Sequence, residues 1–476
     1  MSQLTNLFKN PSFETNATGT YTLPGTTGVA PLTYLSTGGY SGADFVRATW
    51  STASTATGGG MAVGHNANTG VERIDVVAAT QYTATVWVRP SKAKTLTLSA
   101  LVYNTTPSQV GSTTVGTPVS VAANTWTLLT VTFTTGTGGV RVVLQVQDTD
   151  ATRWSIGNTL DVDAVMVVPG SSAPAYADPS TSLMWAWSGA AHASTSVLYT
   201  PSIVLNPYGG LAHTDADLPW CEVVITDVSP QIPAMTIWRT AEDRQFPVRG
   251  GINVAPGTAI SVPDSECPSV TATYVAELLD ASGNRVQFSA QATVTLGFTG
   301  VFIHQPLQPE LYVSPVLTSA TATEISRSSN GQFVFPEGAT VGTWIGSGRT
   351  GIQAPVELLL TTAQADMFSR MLGTYSAPQT AVLCIRTTAP SRLPRLLFAV
   401  GPSTKEIDFD VMREGDDLRV VWDITEVRPP APALSQPALG YDDLDFFYSA
   451  GYDVMDAAYV SYFDRDRDYS LAGVAP

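Results

Sequence analysis

Apolar and polar residues alternate in three segments of the first third of the chain, residues 81–89, 95–102 and 126–133, and residues 140–146 show a similar pattern. Alternation with period two places every second side chain on one face, which is typical of a strand with one buried face. Gly, Ser, Asn and Pro are common between these segments, as expected for turns. Short strands at this spacing predict a β-sandwich or a jelly roll over residues 1–175.

Three further parts, up to residue 430, are also predicted to contain mainly β-structure. Aromatic residues interrupt the strand pattern at 176–202, which we interpret as an aromatic connector. Residues 203–298 contain strand-like runs and a hairpin turn with Gly and Asn, and their length fits an immunoglobulin- or fibronectin III-like β-sandwich. Residues 299–430 are predicted to form a β-rich domain with one helix.

That helix is predicted between Thr361 and Gly373. Threonine is a preferred N-cap residue, and glycine commonly ends a helix because it adopts positive φ without strain. Ala363, Met367 and Met371 recur every four residues, so they predict the buried face of the helix.

Tyrosine and aspartate recur in the last part of the chain, residues 431–476, which follows a Pro-rich segment. Tyrosine and apolar residues step by threes and fours, which is helical spacing, at positions 441, 444, 448, 452, 455, 459 and 462. The repeat predicts a short acidic helical tail that docks on a neighbouring surface through this seam. A disordered tail is the alternative. Together these parts describe a mainly β, multidomain chain.

Composition narrows the classes of function. Charged residues make up 13% and hydrophobic residues 44% of the 476 residues, which suits buried cores with uncharged polar outer faces. The net charge is −16 and Lys and Arg do not cluster, which excludes nucleic acid as a partner. The sequence contains no apolar run of about 18 residues, so it predicts no membrane-spanning helix. The N-terminus shows no charged-then-apolar export signal, which counts against a secreted protein.

The three cysteines are far apart in the sequence and show no zinc-ligand spacing. We predict that Cys221, Cys267 and Cys384 are buried free thiols, as expected for a protein made in a reducing cytoplasm. A bridge between Cys221 and Cys267 is the alternative.

Known catalytic motifs are absent from the sequence. The chain has four histidines, and none of them lies in a metalloprotease motif or beside a nucleophile elbow: His65, His192, His213 and His304. The carboxylate pairs Asp161/Asp163 and Asp215/Asp217 could imitate a glycosidase pair, but nothing in the sequence indicates a cleft around them. We therefore predict that the chain is not an enzyme.

The N-terminal segment Asn6-Leu7-Phe8-Lys9-Asn10-Pro11-Ser12-Phe13-Glu14 resembles the opening strand of jelly-roll carbohydrate-binding modules from cellulases and xylanases. The closing strand of those modules is similar to Leu160-Asp161-Val162-Asp163-Ala164-Val165-Met166-Val167. Here Ala164 replaces the usual second Asp of that strand. The resemblance covers the predicted jelly roll and implies its fold.

A structural Ca²⁺ ion near paired first and last strands is a further implication of this resemblance. It would have Glu14 and Asp163 as side-chain ligands, with backbone carbonyls near Asn10. Two carboxylates and several carbonyls are ligands that Ca²⁺ prefers. The alternative is that both carboxylates only accept hydrogen bonds at a sheet edge.

Sugar binding needs flat aromatic faces, each contributing on the order of 1 kcal/mol. The jelly roll offers Trp50, Trp87, Tyr103, Trp126 and Trp154, with Arg89 and Gln147 in nearby strands. We expect Trp50 and Trp154 to be exposed, because they lie near loops and arginines, and predict that they bind sugar together with Tyr103 and Trp87. Core packing is the alternative for Trp87 and Trp126, which lie in alternating strands.

A wider resemblance links the chain to minor tail proteins of long-tailed, siphovirus-like phages of actinobacteria. It rests on Trp185–Ser196, Trp238–Glu242, Pro247–Gly251 and the tail ending in Tyr469–Gly473. The chain departs from the family pattern at Ala177-Asp178-Pro179, where the family has F-D-G.

This resemblance implies a structural component of a phage tail tip or baseplate, assembled in the host cytoplasm and located in the virion. Its partners would be other tail proteins and copies of itself in a trimer or ring, with the jelly roll facing host cell-wall glycan. Arg239 and Arg249 would form ion pairs at an interface or core edge; for Arg249, solvent exposure is the alternative. Two other functions stay open: a secreted bacterial polysaccharide-binding or glycoside-hydrolase-associated protein, and a jelly roll that serves only as a spacer.

Overall fold

The structure is a computed structural model, and the predicted fold class is confirmed: the chain is mainly β, with several sheets and short helices. The residues that it describes are 3–23, 28–29, 31–54, 59–64, 74–106, 108–150, 153–208, 218–257, 259–327, 329–335, 337–338, 340–349, 351–373, 379–408, 417–430, 441–449, 451–459 and 465. Within these ranges, each helix lacks the length and apolar character that crossing a bilayer requires.

The chain forms two compact units, the first of which comprises Met1–Pro201 and Asp227–Pro233. The five-part division predicted from the sequence is finer than this and stays a prediction. The strands of the first unit are β1 Leu4–Asn6, β2 Thr20–Thr22, β3 Thr33–Leu35, β4 Phe45–Thr49, β5 Gly60–Val63, β6 Ile74–Asp75, β7 Gln81–Pro90, β8 Lys94–Tyr103, β9 Thr114–Val115, β10 Val119–Val121, β11 Thr127–Thr134, β12 Arg141–Asp148, β13 Thr159–Pro169, β14 Trp185–Trp187 and β15 Ser196–Leu198.

Two antiparallel sheets form the jelly roll. We name them sheet I, with strand order β10-β8-β12-β5-β2, and sheet II, with strand order β11-β7-β13-β4-β3. Alternation decides which side chains face the core between them: in β7, Ala84, Val86 and Val88 are fully buried in that core. The residues between them, including Trp87 and Arg89, therefore lie on the outer face of sheet II.

The N-terminal segment runs beside β13, as the resemblance implied, but its strand β1 pairs with β15 of the connector. Asn6 links it to β13: its side-chain amide donates to the Val165 carbonyl at 3.0 Å and accepts from the Val167 N–H at 2.9 Å. A bulge between Asp163 and Met166 interrupts the pairing of β13 with β7. The buried asparagine therefore satisfies backbone groups of β13 beside an irregular part of the sheet.

The second unit comprises Ser202–Thr226 and Ala234–Pro476. Its elements are β16 Ser202–Tyr208, β17 Trp220–Thr226, β18 Ala234–Ala241, β19 Arg244–Pro247, β20 Ala259–Asp264, β21 Ala272–Leu279, β22 Arg285–Phe288, β23 Ala292–Val294, β24 Phe302–Gln305, β25 Gln308–Val313, β26 Val316–Leu317, β27 Ser329–Val334, β28 Thr343–Arg349, β29 Gln353–Thr361, α1 Thr362–Leu372, β30 Leu383–Arg386, β31 Leu396–Val400, β32 Thr404–Asp408, β33 Asp417–Glu426, α2 Tyr441–Phe447 and α3 Tyr452–Ala458.

Three sheets form most of this unit. Their strand orders are β16-β17-β20, β19-β18-β21-β22 and β25-β24-β30-β31-β33-β29-β26. In β21 every second residue from Ala272 to Leu278 is buried, which is the alternation expected of a sandwich strand. The three cysteines are buried free thiols, as predicted, and burial raises the pKa of the Cys384 thiol.

Ion pairs are buried where β18 and β20 come together. The Arg239 guanidinium donates to Asp264 Oδ2 at 2.6 Å, and the Tyr274 hydroxyl donates to the same oxygen at 2.7 Å. Arg249 Nε donates to Glu266 Oε1 at 2.9 Å. All five side chains are buried, so Arg249 forms a buried ion pair and is not solvent-exposed.

Helix α1 begins and ends where the sequence predicted. Thr361 is the N-cap of a capping box with Gln364, and Gly373 is the C-cap. The predicted buried stripe is partly wrong, because Ala363 is exposed and Met367 is half-buried. Ala365, Phe368 and Met371 are the buried residues of the helix instead, since the helix packs against β25, β29 and β33 and this packing decides which side faces inward.

The Tyr/Asp tail contains two short helices rather than one continuous seam. The chain leaves the helix after Phe447 and enters α3 after Gly451, whose φ is 116°. Leu444 and Met455 are buried against each other, and the Tyr448 hydroxyl donates to the Tyr459 hydroxyl at 3.1 Å. These seam residues therefore contact one another within the chain; Tyr462 lies outside the described residues.

Candidate functional site

Aromatic side chains form a platform on the outer face of sheet II. Tyr40, in the loop after β3, stacks on Trp87 of β7, with ring centroids 3.7 Å apart and planes 13° apart. Trp126 stands nearly perpendicular to Tyr40, at 6.3 Å. Tyr40 is 40% exposed, and Trp87 and Trp126 are half-buried. We call Tyr40, Trp87 and Trp126 the aromatic platform; the sequence prediction included Trp87 and missed Tyr40.

Two arginines and one carboxylate lie beside the aromatic platform. Arg47 Nε and Nη2 donate to the two oxygens of Asp161 at 2.6 and 2.9 Å, and Arg89 Nε donates to Asp161 Oδ2 at 2.9 Å. The Arg89 guanidinium lies 4.9 Å from the Phe45 ring centroid and 4.5 Å from that of Trp126. One carboxylate thus faces two cations, and the Phe45 and Trp126 rings hold Arg89 in place.

Amide and hydroxyl side chains lie across the outer face of sheet I. Register places Gln145 opposite Ser99 and Ala62, with Tyr21 opposite Ala62 on the next strand. The Ser99 hydroxyl donates to Gln147 Oε1 at 3.3 Å, and Gln147 Nε2 donates to Gln145 Oε1 at 3.1 Å. We call Ser99, Gln145 and Gln147 the amide ladder. Ser99 is fully buried and its hydroxyl holds Gln147 in position, while the half-buried Gln145 and Gln147 provide the hydrogen-bonding groups of this face.

Two tyrosines flank the amide ladder. Tyr21 and Tyr103 are half-buried and pack against the small apolar cluster of Leu23, Ala62 and Val143 on this face. Tyr103 was a predicted sugar-binding residue, and it lies on the opposite sheet from Trp87. The structure therefore does not bring the two together in one site.

The prediction that Trp50 and Trp154 are exposed is wrong. Both side chains are fully buried, and their rings stack in parallel with centroids 4.0 Å apart. Trp50 follows β4 in phase with the inward residues Val46 and Ala48, so alternation carries it into the core. Gly59 lies against both rings, since a Cβ there would meet Trp154 at 3.1 Å and Trp50 at 3.3 Å. These two residues cannot stack on a sugar.

Two of the predicted calcium ligands, Glu14 and Asp163, lie close enough for their charges to interact, at the bulge of β13. Asp163 is fully buried, and its carboxylate accepts from the N–H groups of Tyr40, Ser41 and Ala164 at 2.7, 2.9 and 2.6 Å. Burial nevertheless raises the pKa of Asp163 to about 8, with the charge of Glu14 adding to it. This carboxylate is thus held in a place where its negative charge is unfavourable.

Further acidic groups surround this position. Burial, with the charges of Asp44 and Asp178, raises the pKa of Glu14. Asn10 Oδ1 is buried and has no hydrogen-bond partner in the described structure. A hard divalent cation would neutralise the carboxylates and bind that free oxygen, so Glu14, Asp163 and Asn10 fit one. Within the described ranges, no three side chains of His, Cys, Asp or Glu are grouped for a metal ion, so the ligand set would need backbone carbonyls.

Candidate catalytic groups are not brought together in the part of the chain that the structure describes. His304 is fully buried, and desolvation holds its pKa well below its usual value. Asp161 is bound by two arginines and Asp163 by backbone amides, so this pair lacks an acid and base that face a common cleft. His65, His213, Asp215 and Asp217 lie outside the described residues.

Comparisons with known proteins give similarity to solved structures only; no protein-family model and no curated protein matches the chain. The family 22 carbohydrate-binding module and catalytic module of Clostridium thermocellum xylanase 10B is 17% identical, with TM-score 0.25, over 34% of this chain and 28% of that one. A xylan-binding domain of Paenibacillus barcinonensis xylanase 10C is 15% identical, with TM-score 0.25, over 34% of this chain and 93% of that one. The enzymatically active domain of bacteriophage CBA120 tailspike protein 4 is 13% identical, with TM-score 0.26, over 35% of this chain and 21% of that one. These values do not assign the chain to a family.

Proposed function

We propose that the jelly roll binds a neutral polysaccharide through the outer face of sheet I. The observation that supports this is the amide ladder of Ser99, Gln145 and Gln147 between Tyr21 and Tyr103. Amides bind vicinal sugar hydroxyls as both donor and acceptor, and tyrosine rings pack on the C–H faces of pyranoses. Because the ladder carries no charged group, a neutral glycan suits it.

Replacing Tyr103 with alanine is expected to weaken binding of a neutral glycan about fivefold, since one aromatic contact contributes roughly 1 kcal/mol. The Tyr103→Ala, Gln145→Ala double variant should bind still more weakly. The measurement is calorimetric titration of the full chain with soluble xylan and with neutral polysaccharide from actinobacterial cell walls. Phe288→Ala removes an exposed aromatic of the second unit and serves as the control. Unchanged affinity in the double variant, or no binding by the wild type, would contradict the proposal.

We also propose that Glu14, Asp163 and Asn10 hold Ca²⁺, with neighbouring backbone carbonyls completing the ligand set. The support is the free oxygen of Asn10 and the buried carboxylate of Asp163. The bound ion would supply positive charge to stabilise the ionised form of Asp163. It would thereby hold the bulge of β13 against the loop of Tyr40 and Ser41.

Calcium is expected to stabilise the chain at pH 8 much more than at pH 5. Without metal, the folded state keeps a proton on Asp163 that the unfolded state releases near pH 4. The retained proton therefore contributes to the free energy of unfolding in full below about pH 4, and this contribution is lost as pH rises towards 8. Calcium replaces that proton, so its effect on Tm should grow over the same range and reach several degrees.

The measurement is scanning calorimetry of the full chain in EDTA and in Ca²⁺ at both pH values. Asp163→Asn should flatten the pH dependence of Tm and remove the calcium effect. Asp75→Asn, at an exposed position, is the control. A Tm at pH 8 that is the same with and without Ca²⁺ would refute the metal site. A pH dependence of Tm that persists in Asp163→Asn would show that another group causes it.

For the whole chain we propose a structural role in a phage tail tip, with the jelly roll attaching to host cell-wall glycan. The support is the sequence resemblance, together with a mainly β multidomain chain and exposed Phe446 and Phe447 on helix α2. Mass spectrometry of purified virions should detect the chain in a fixed ratio to other tail proteins. Its absence from virions would favour the alternative, a secreted polysaccharide-binding protein. We propose no catalysis, and release of reducing sugars from cell walls by the pure protein would contradict this.

A further inference from the structure

The aromatic platform on sheet II has the features of a second ligand site. Tyr40 has one ring face stacked on Trp87, and the residue keeps 40% of its surface exposed. Trp126 is held in position by its Nε1–H, which donates to the Gly38 carbonyl at 3.4 Å. A sheet face that only needed to be soluble would carry polar side chains, as β11 does at Thr130 and Thr132. Here three aromatic rings are instead ordered next to one another.

Arg89 gives this site its charge and its hydrogen-bond donors. Its Nε is bound to Asp161, whereas Nη1 and Nη2 make no hydrogen bond to any described residue, and 20% of the side chain is exposed. The rings of Phe45 and Trp126 hold the guanidinium in place. Two parallel N–H groups on a fixed guanidinium match the two oxygens of a carboxylate.

Charge at the Arg89 end of the platform favours an anion, whereas the buried carboxylate of Asp163 accepts from the Tyr40 N–H at the other end. Arg47 and Arg89 together face the single carboxylate of Asp161, which leaves one positive charge. Residues 1–201 carry eight Lys and Arg against nine Asp and Glu, so the strongly negative net charge lies almost wholly in the rest of the chain. An anionic ligand approaching the jelly roll therefore meets a nearly neutral domain with a local cation.

We propose that this face binds an acidic glycan. One uronic acid residue would stack its ring on Tyr40 and place its carboxylate on Arg89 Nη1 and Nη2. Tyr40 and Arg89 both lie against the Trp126 indole, so one sugar residue can reach both. The site is on the opposite sheet from the amide ladder, and it does not rest on binding there. With both faces occupied, the jelly roll holds two glycan chains, one acidic and one neutral.

The test is calorimetric titration of the full chain with an oligogalacturonate and with its methyl ester, in which each carboxylate is replaced by an uncharged methyl ester group. The wild type is expected to bind the acid at least tenfold more tightly than the ester, because a charge-assisted bidentate contact is lost in the ester. Arg89→Met keeps the packing between the Phe45 and Trp126 rings and should weaken binding of the acid about tenfold or more. Tyr40→Ala, at an exposed position, should weaken it about fivefold and keeps the test valid if Arg89→Met folds poorly.

Two outcomes would overturn the inference. In one, the wild type binds the acid no better than the ester. In the other, Tyr103→Ala loses binding of the acid while Arg89→Met and Tyr40→Ala keep it, which would place the acid on sheet I. Titration with xylan in the same variants separates the two proposals, since the sheet I site should lose xylan in Tyr103→Ala and keep it in Tyr40→Ala.

Discussion

Asp264→Ala is expected to destabilise the second unit by about 3–5 kcal/mol, the cost of removing one partner from a buried ion pair. Arg239 is 1% exposed, and its guanidinium donates to both oxygens of Asp264. The same substitution removes the acceptor of the buried Tyr274 hydroxyl. Neither group can turn to solvent: the Tyr274 hydroxyl would lose its acceptor, and Arg239 would keep only the longer contact of its Nη2 with Glu266 Oε2, at 3.5 Å.

Scanning calorimetry of the full chain can measure this loss, because the chain forms two compact units and the jelly roll offers an internal standard. The transition of the second unit should move to lower temperature while that of the jelly roll stays in place. Asp264→Asn keeps an acceptor for Tyr274 and loses the charge, so its Tm should lie between those of the alanine variant and the wild type. A full-stability Asp264→Ala protein would show that Arg239 is not held by this ion pair.

Much of the jelly roll could be predicted from the sequence, because alternation along a strand is a local property. The predicted strands at 81–89 and 95–102 correspond to Gln81–Pro90 and Lys94–Tyr103. Capping is local as well, and Thr361 and Gly373 therefore predicted both ends of α1. These features depend on neighbours in the chain and hardly on the rest of the fold.

The candidate site was predicted less well, because it depends on contacts between distant residues. Tyr40 lies in a Ser- and Gly-rich loop without periodicity, and only the fold places it on Trp87. Asp161 and Asp163 look alike in sequence, yet one is bound by two arginines and the other by backbone N–H groups at a bulge. For Trp50 a local signal did exist, since it continues the phase of the inward-facing Val46 and Ala48.

The break in the C-terminal repeat has a similar cause. Spacing by threes and fours predicts one apolar stripe, but it does not show whether the stripe meets another molecule or folds back. Gly451 lets the chain turn between α2 and α3. Leu444 then packs on Met455, and Tyr448 on Tyr459. The period of eleven residues in the sequence thus corresponds to two facing helices.

Trp50→Ala is expected to lower the stability of the jelly roll by about 3–5 kcal/mol, which corresponds to a fall in its Tm of roughly 6–20 °C. The substitution leaves a cavity in the core and removes the parallel stack on Trp154. Trp154 also loses support on the side away from Lys94, whose ammonium lies 4.8 Å from its ring and is paired with Asp148. Trp50→Phe fills part of the cavity and should lose less.

Measurements of glycan affinity distinguish this role of Trp50 in the core from the sugar-stacking role that the sequence predicted for it. At a temperature where Trp50→Ala is still folded, its affinity for xylan and for oligogalacturonate should equal that of the wild type, because neither outer sheet face includes this side chain. Tyr103→Ala and Tyr40→Ala should behave in the opposite way, losing affinity with little change in Tm, since both side chains are accessible on those faces. A Trp50→Ala protein of unchanged Tm that had lost its glycan would instead restore Trp50 as a binding residue.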